Sequence, residues 1–226
     1  AAAIIAIQSA FITSGQRCTC CRRLFVLKDV VESGFLNLLK EKTKNMSIGD
    51  YMQQPEAFMG PLISKEQVEL LLKRQEELID LGGREVLRMK KLDRKGAFIS
   101  PGIIDMTNAE SPADEESFGP LLQVWEVDSL EEAITLANDT RYGLSAGIIS
   151  DSKEDYEEYF QKSRSGILNW NQPTTGASGK APFGGIGISG NHRPTGYYAA
   201  DYCAYPIVSA EINTCKLPSK PIPGLS

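Results

Sequence analysis

Cys18 lies in Gly15-Gln16-Arg17-Cys18-Thr19-Cys20-Cys21, three thiols within four positions beside glycine and arginine. The thiolate is the reactive form, and an ordinary cysteine of pKa about 8.5 is only a few per cent thiolate at neutral pH. A cysteine just after a helix break can be exposed, and Arg17, Arg22 and Arg23 would lower its pKa if their side chains faced it. Residue types alone leave a second reading open, in which three small apolar thiols simply pack.

Other chemistries fit these residues less well. Cys18 and Cys21 form a C-x-x-C, but a zinc site needs four ligands. The chain has one histidine, His192, and no second C-x-x-C, so no metal is expected. A thioredoxin-like pair would open a helix after a strand, whereas this pair follows a helical pattern. Gly185-Ile186-Gly187-Ile188-Ser189-Gly190 matches G-x-G-x-x-G. A dinucleotide fingerprint follows a strand and opens a helix. This one follows Ala181-Pro182-Phe183 with no helical pattern inside it, so a loop that lets backbone approach a ligand is the better reading.

The elements that must position these residues read as α/β. Residues 1–14 form a helical pattern broken at Ser14-Gly15, and RLFVL (23–27) is a short strand. Val30 to Lys44 carries one apolar helical face, and Lys65 to Leu81 is an amphipathic helix stopped by Gly82-Gly83. Strand-like runs follow at 85–89 and 97–105. From 121 to 171 strands alternate with helices: LLQVWEV (121–127), a helix capped by Ser129 with Glu132 in the capping-box position, SAGIIS (145–150), a helix over 153–164, and GILNW (166–170). That rhythm predicts βαβ units around a parallel-type sheet flanked by helices. A Gly/Pro/Ser/Thr-rich loop covers 172–190, and a Tyr-rich helix near 194–202 precedes a proline-containing tail.

Composition bounds the function. The 226 residues are 42% hydrophobic and 23% charged, the ordinary globular range. A net charge of −5 argues against nucleic acid as partner. No apolar run is long enough to span a bilayer, so no membrane is expected. An odd count of five cysteines argues against a secreted disulfide framework and for the cytoplasm. The chain starts without Met inside a helical pattern, as a fragment would.

The thiol motif resembles that of the aldehyde dehydrogenase superfamily, and three further segments agree with it in order and spacing. They are Glu116-Ser117-Phe118-Gly119-Pro120, Tyr142-Gly143-Leu144, and Asn171 followed by Pro182-Phe183-Gly184-Gly185 and Ser189-Gly190. Within the superfamily, SAFITSGQRCTC (9–20), EESFGPLLQV (115–124), TGASGKAPFGGIGISGNHRP (175–194) and YYAADYCAYP (197–206) are most similar to the bacterial branch acting on N-succinylglutamate 5-semialdehyde in arginine catabolism. Gly187 stands where most relatives have Lys, and His192-Arg193-Pro194 where most have Gly-Arg-Glu, which fits that branch; Cys21 departs from its usual small residue.

The resemblance implies the aldehyde dehydrogenase catalytic fold over 1–195, with a C-terminal helix and oligomerisation tail over 196–226 and a homo-oligomer as the whole. It implies NAD(P)-dependent oxidation of an aldehyde through a thioester on Cys18, with a small-molecule aldehyde as partner. Glu116 and Phe118 would contact NAD. Thr19, Gly176 and Ala177 would hold a substrate carboxylate, and glutamate semialdehyde is an alternative substrate. The general-base Glu of E-L-G-G, the Asn that shares the oxyanion, and the nucleotide-binding domain belong upstream of the thiol and are not among these residues. The competing reading is a non-catalytic α/β module whose thiols pack or regulate.

Overall fold

Consecutive side chains of a strand point to opposite faces, and a parallel sheet is normally covered on both. The central strands of this chain are apolar on both faces for that reason. The computed structural model describes residues 1–217, 220 and 222–225. Its main sheet has the order β1 (Arg23–Leu27), β4 (Leu121–Val127), β3 (Gly102–Asp105), β2 (Arg84–Leu87). The first three run parallel, and β2 is antiparallel to β3.

Ile103, Leu122 and Val124 face one side of the sheet. There they pack with Ala3, Ala6, Ile7, Ala10 and Phe11 of α1 (Ala2–Phe11) and with Leu36 and Leu39 of α3 (Phe35–Lys44). Ile104 and Leu121 face the other side, against Val68, Leu71 and Leu78 of α4 (Lys65–Asp80). Each buried Val, Leu, Ile or Phe side chain among them contributes about 2 kcal/mol. Helix α4 starts where the Ser64 hydroxyl accepts the Gln67 N–H at 3.3 Å. Its buried Gln75 accepts the Met89 N–H and donates to the Met89 carbonyl, so it carries no unmet polar group into the core.

The expected α/β class holds, with local differences. The helical pattern over 30–44 divides into α2 (Lys28–Glu32) and α3 because Gly34 takes φ +91° between them. Strand β4 does not share a sheet with the strands after it. Both of its edges are taken, by β1 and β3, so β5 (Ser145–Ile148) and β6 (Ile167–Trp170) pair in parallel as a separate two-stranded sheet. Helix α5 (Leu130–Asn138) starts at Ser129, whose hydroxyl accepts the Glu132 N–H, while Glu132 accepts the Asp128 N–H. Helix α6 (Lys153–Lys162) joins β5 to β6.

Near the C-terminus, β7 (Pro182–Phe183) pairs with β8 (Thr195–Gly196) where a helix was expected, and only α7 (Ala199–Tyr202) of that helix forms. The described residues after Tyr202 are exposed; of the expected tail, Pro218, Ser219, Pro221 and Ser226 lie outside the described residues. Among the described residues no helix is long and apolar enough to cross a membrane.

Candidate active site

Helix α1 stops because Thr13, Ser14 and Gly15 take φ values of 53°, 57° and 66°, three left-handed residues in succession. The reversal is held from both sides: the Ser14 hydroxyl donates to the Gly60 carbonyl at 2.8 Å, and the Gln16 side-chain oxygen accepts the Ile63 N–H at 3.0 Å. Arg17 Nε donates to the Thr13 hydroxyl. Gly15 has a steric reason as well as a conformational one. A Cβ built on it would lie 2.2 Å from the Gly119 carbonyl oxygen, so the turn packs backbone to backbone on the 116–120 segment.

The three thiols end in different surroundings. Cys18 is exposed at the tip of the turn. Cys20 is buried, its thiol 3.7 Å from the Ile12 carbonyl oxygen, and burial raises its pKa against the opposing charge of Arg22. Burial pushes the Cys21 thiol up to about 11 despite Arg22, and it donates to the Arg23 carbonyl at 3.2 Å. The packing reading therefore describes Cys20 and Cys21, and of the three clustered thiols only Cys18 is exposed; Cys203 and Cys215, far along the chain, are exposed as well. The Cys18 N–H donates to no protein acceptor among the described residues.

The arginines expected beside the thiol also divide. Arg23 turns away and donates to the Leu136, Ala137 and Asp139 carbonyls at the end of α5, a site where a cation is favoured. Arg22 reaches the Glu116 carboxylate at 2.8 Å and also the Gly15, Arg17 and Gly119 carbonyls. Its guanidinium carbon lies 5.1 Å from the centre of the Phe118 ring, which is 41% exposed. Cys18, Glu116 and Phe118 thus stand on two segments joined by one side chain.

The anchoring of the other expected residues is indirect. Thr19 is buried, and its carbonyl accepts the Thr174 hydroxyl at 2.7 Å. The Thr174 N–H donates to the Ser9 hydroxyl, and the Ser9 carbonyl accepts the Cys21 N–H. Gly176 is two residues beyond Thr174, within about 7 Å of it by chain length. Gly176 and Ala177 are exposed, and Gly176 has φ +95° with open space where a side chain would stand. Ser9 and Thr174 were not singled out from sequence: their roles are long-range hydrogen bonds with no local signature.

The remaining segments close the frame. Asp114 accepts the Thr140 hydroxyl and the Arg141 N–H, at 2.7 and 2.8 Å. Burial opposes its charge, but these bonds hold its carboxyl below the usual range. Tyr142 Oη accepts the Glu116 N–H at 3.4 Å, and the Gly143 N–H donates to the Ser189 hydroxyl. The Asn171 amide is a structural clip at the end of β6, bonded to both the N–H and the carbonyl of Ser150. The G-x-G-x-x-G run forms a three-residue 3-10 turn, Gly187–Ser189, packed on residues 141–144. Its Ile186, Ile188 and Ser189 N–H groups are spent on protein carbonyls, which is not a phosphate cradle.

Residues 1–206 match the model of the Aldehyde dehydrogenase family. The chain belongs to the aldehyde dehydrogenase family. It is 50% identical over 219 residues to N-succinylglutamate 5-semialdehyde dehydrogenase of Chromobacterium violaceum, covering 97% of this chain and 45% of that protein. A Legionella pneumophila protein of the same name is 49% identical, with 97% of this chain and 44% of the relative covered. A crystal structure of 1-pyrroline-5-carboxylate dehydrogenase from Thermus with bound NAD superposes with a TM-score of 0.80 at 33% identity, covering 88% of this chain and 39% of that one. The chain therefore spans less than half the length of these aldehyde dehydrogenase relatives. The mainly parallel sheet with helices on both faces is the α/β architecture expected from the sequence.

Proposed function

We propose that the chain is the thiol-bearing catalytic part of a longer NAD(P)-dependent aldehyde dehydrogenase, with Cys18 as nucleophile. Residues 1–195 are its catalytic domain, and 196–226 its oligomerisation tail. The observation that carries this reading is the separation of the three clustered thiols, Cys20 buried, Cys21 partly buried and Cys18 presented at the tip of a turn pinned to the Glu116 segment. The substrate is N-succinylglutamate 5-semialdehyde, on the strength of the relatives' names and of the small-residue loop 174–179. The homo-oligomeric state is supported by exposed Tyr205, Ile207 and Val208 in the tail. A cytoplasmic location accords with the free cysteines of the chain.

Cys18 Sγ attacks the aldehyde carbon, and the carbonyl oxygen takes up the electron pair as a thiohemiacetal oxyanion. The unengaged Cys18 N–H donates to that oxygen, a contact commonly worth about 3 kcal/mol in the transition state. NAD, when bound, supplies the acceptor for the aldehyde hydride. The Cys18 thioester is then cleaved by water, returning the thiol and releasing the acid. Glu116 fits the cofactor because one of its carboxylate oxygens has no protein partner among the described residues, and Phe118 offers an exposed ring. Gly176 and Ala177 offer open backbone to a substrate carboxylate, in the manner of an anion-binding nest, and Thr19 sets the base of that loop through its carbonyl.

The test uses full-length protein with N-succinylglutamate 5-semialdehyde and NAD. Rapid acid quench followed by peptide mass spectrometry should find the acyl group on Cys18. Cys18→Ala should abolish both the adduct and NADH formation. An adduct on Cys20 or Cys21 would relocate the nucleophile.

A further inference from the structure

We propose that Arg22 is a positioning residue for the cofactor, one that commits one oxygen of Glu116 to the protein so that the other is held ready for the nicotinamide ribose. The proposal rests on the reading of Cys18 and Glu116 given above and adds a residue that no motif singles out.

A guanidinium has five N–H donors in a rigid fork. All five of Arg22 are matched by acceptors. Nε and Nη2 both donate to the same oxygen, Oε1 of Glu116, at 3.1 and 2.8 Å. Nη1 donates to the Gly15 carbonyl at 2.6 Å and the Gly119 carbonyl at 3.3 Å. Nη2 also donates to the Arg17 carbonyl at 3.0 Å. No hydrogen bond among the described residues reaches Oε2 of Glu116. The Arg22 side chain is only 13% exposed and that of Glu116 31% exposed, so the pair is fixed on one side and open on the other.

The geometry does two things. Two donors on one oxygen restrict the carboxylate to a narrow range of positions, and its second oxygen keeps its lone pairs for a diol. The Gly15 and Arg17 carbonyls belong to the turn that ends at Cys18, while Gly119, Glu116 and Phe118 belong to the facing segment. One side chain thus sets the spacing between nucleophile and cofactor contact. Lysine cannot substitute, because its compact three-donor charge has no fork to hold Oε1 and three carbonyls together.

The test uses full-length protein carrying Arg22→Met, Arg22→Lys, Glu116→Gln, or Arg22→Met with Glu116→Gln. Two quantities are read: NADH affinity by fluorescence titration with no aldehyde present, and the single-turnover rate of NADH formation at saturating NAD. At least one should fall tenfold or more in Arg22→Met and in Glu116→Gln, and fall less than threefold further when the two are combined. Equal losses in both backgrounds would show that Arg22 acts independently of Glu116 and would overturn the proposal. If Glu116→Gln changes neither quantity, the ribose contact is wrong and the proposal falls with it. If Glu116→Gln is impaired and Arg22→Met is not, the proposal alone falls. Should Arg22→Met not fold, Arg22→Lys decides: a loss of fivefold or more supports the proposal, and parental behaviour overturns it.

Discussion

Replacing Gly15 by Ala tests the contact on which the site is built. Two costs are expected, and the structure separates them. The first is conformational: φ is +66° at Gly15, and an L-residue in the left-handed region loses roughly 1–2 kcal/mol. The second is steric. The new Cβ would stand 2.2 Å from the Gly119 carbonyl oxygen and 2.8 Å from the Pro120 nitrogen, both backbone atoms that no rotamer change can move. Overpacking of that kind costs about 1–3 kcal/mol. The sum is about 2–5 kcal/mol, or a Tm lowered by about 4–20 °C for a chain of this size. Gly34→Ala is the control, because Gly34 also has positive φ, +91°, with nothing within 4 Å of the added Cβ. It should show the first cost alone, about 1–2 kcal/mol. Urea unfolding of the parent and both variants measures the difference. If Gly15→Ala is no more destabilising than Gly34→Ala, the two backbones do not meet as described and the pinned turn is wrong.

Four further outcomes are expected. Limited iodoacetamide labelling at pH 7.5 with peptide mapping should modify Cys18 before Cys20, Cys21 and the exposed Cys203 and Cys215; with a pKa of about 11, Cys21 is less than about one part in a thousand thiolate there. Uniform labelling would restore the non-catalytic module. Because folding raises the Cys21 pKa, the folded state keeps a proton that the unfolded chain loses, so stability from this thiol is intact below about pH 8.5 and declines as pH rises towards 11. Thermal unfolding of Cys21→Ala should be flatter than the parent across that window, and an identical pH slope would remove the burial assignment. Gly176→Val meets no protein atom within 4 Å but is strained at φ +95°, so it displaces the loop backbone, and in full-length protein it should lower kcat/KM for N-succinylglutamate 5-semialdehyde about ten- to hundredfold more than for a simple aliphatic aldehyde of similar length. Equal losses would make the loop a support of the fold. Calorimetry of the 226-residue chain with NAD should show no saturable binding at millimolar cofactor, and clear saturation would refute the division into catalytic and nucleotide-binding parts.

The elements with strong local signals were legible from residue order. Helix α4 is legible from its amphipathic spacing over 65–81 and from Gly82-Gly83, and β4 from its apolar run. The thiol motif and the Glu116 and Tyr142 segments were legible as ordered patterns, and the glycine-rich run could be set aside because nothing before or after it suits a dinucleotide turn. Local sequence does not report which strands share edges: the alternation over 121–171 groups β4 with β5 and β6, whereas β1 and β3 occupy both edges of β4. Nor does it report where a long side chain ends. Arg22 and Arg23 are adjacent and chemically identical, yet one is drawn to Glu116 and the thiol turn and the other to the end of α5, because successive residues at the start of a strand leave it on opposite faces. Residue type and spacing could nominate three thiols; only burial, a property of the whole packed chain, left one of them exposed.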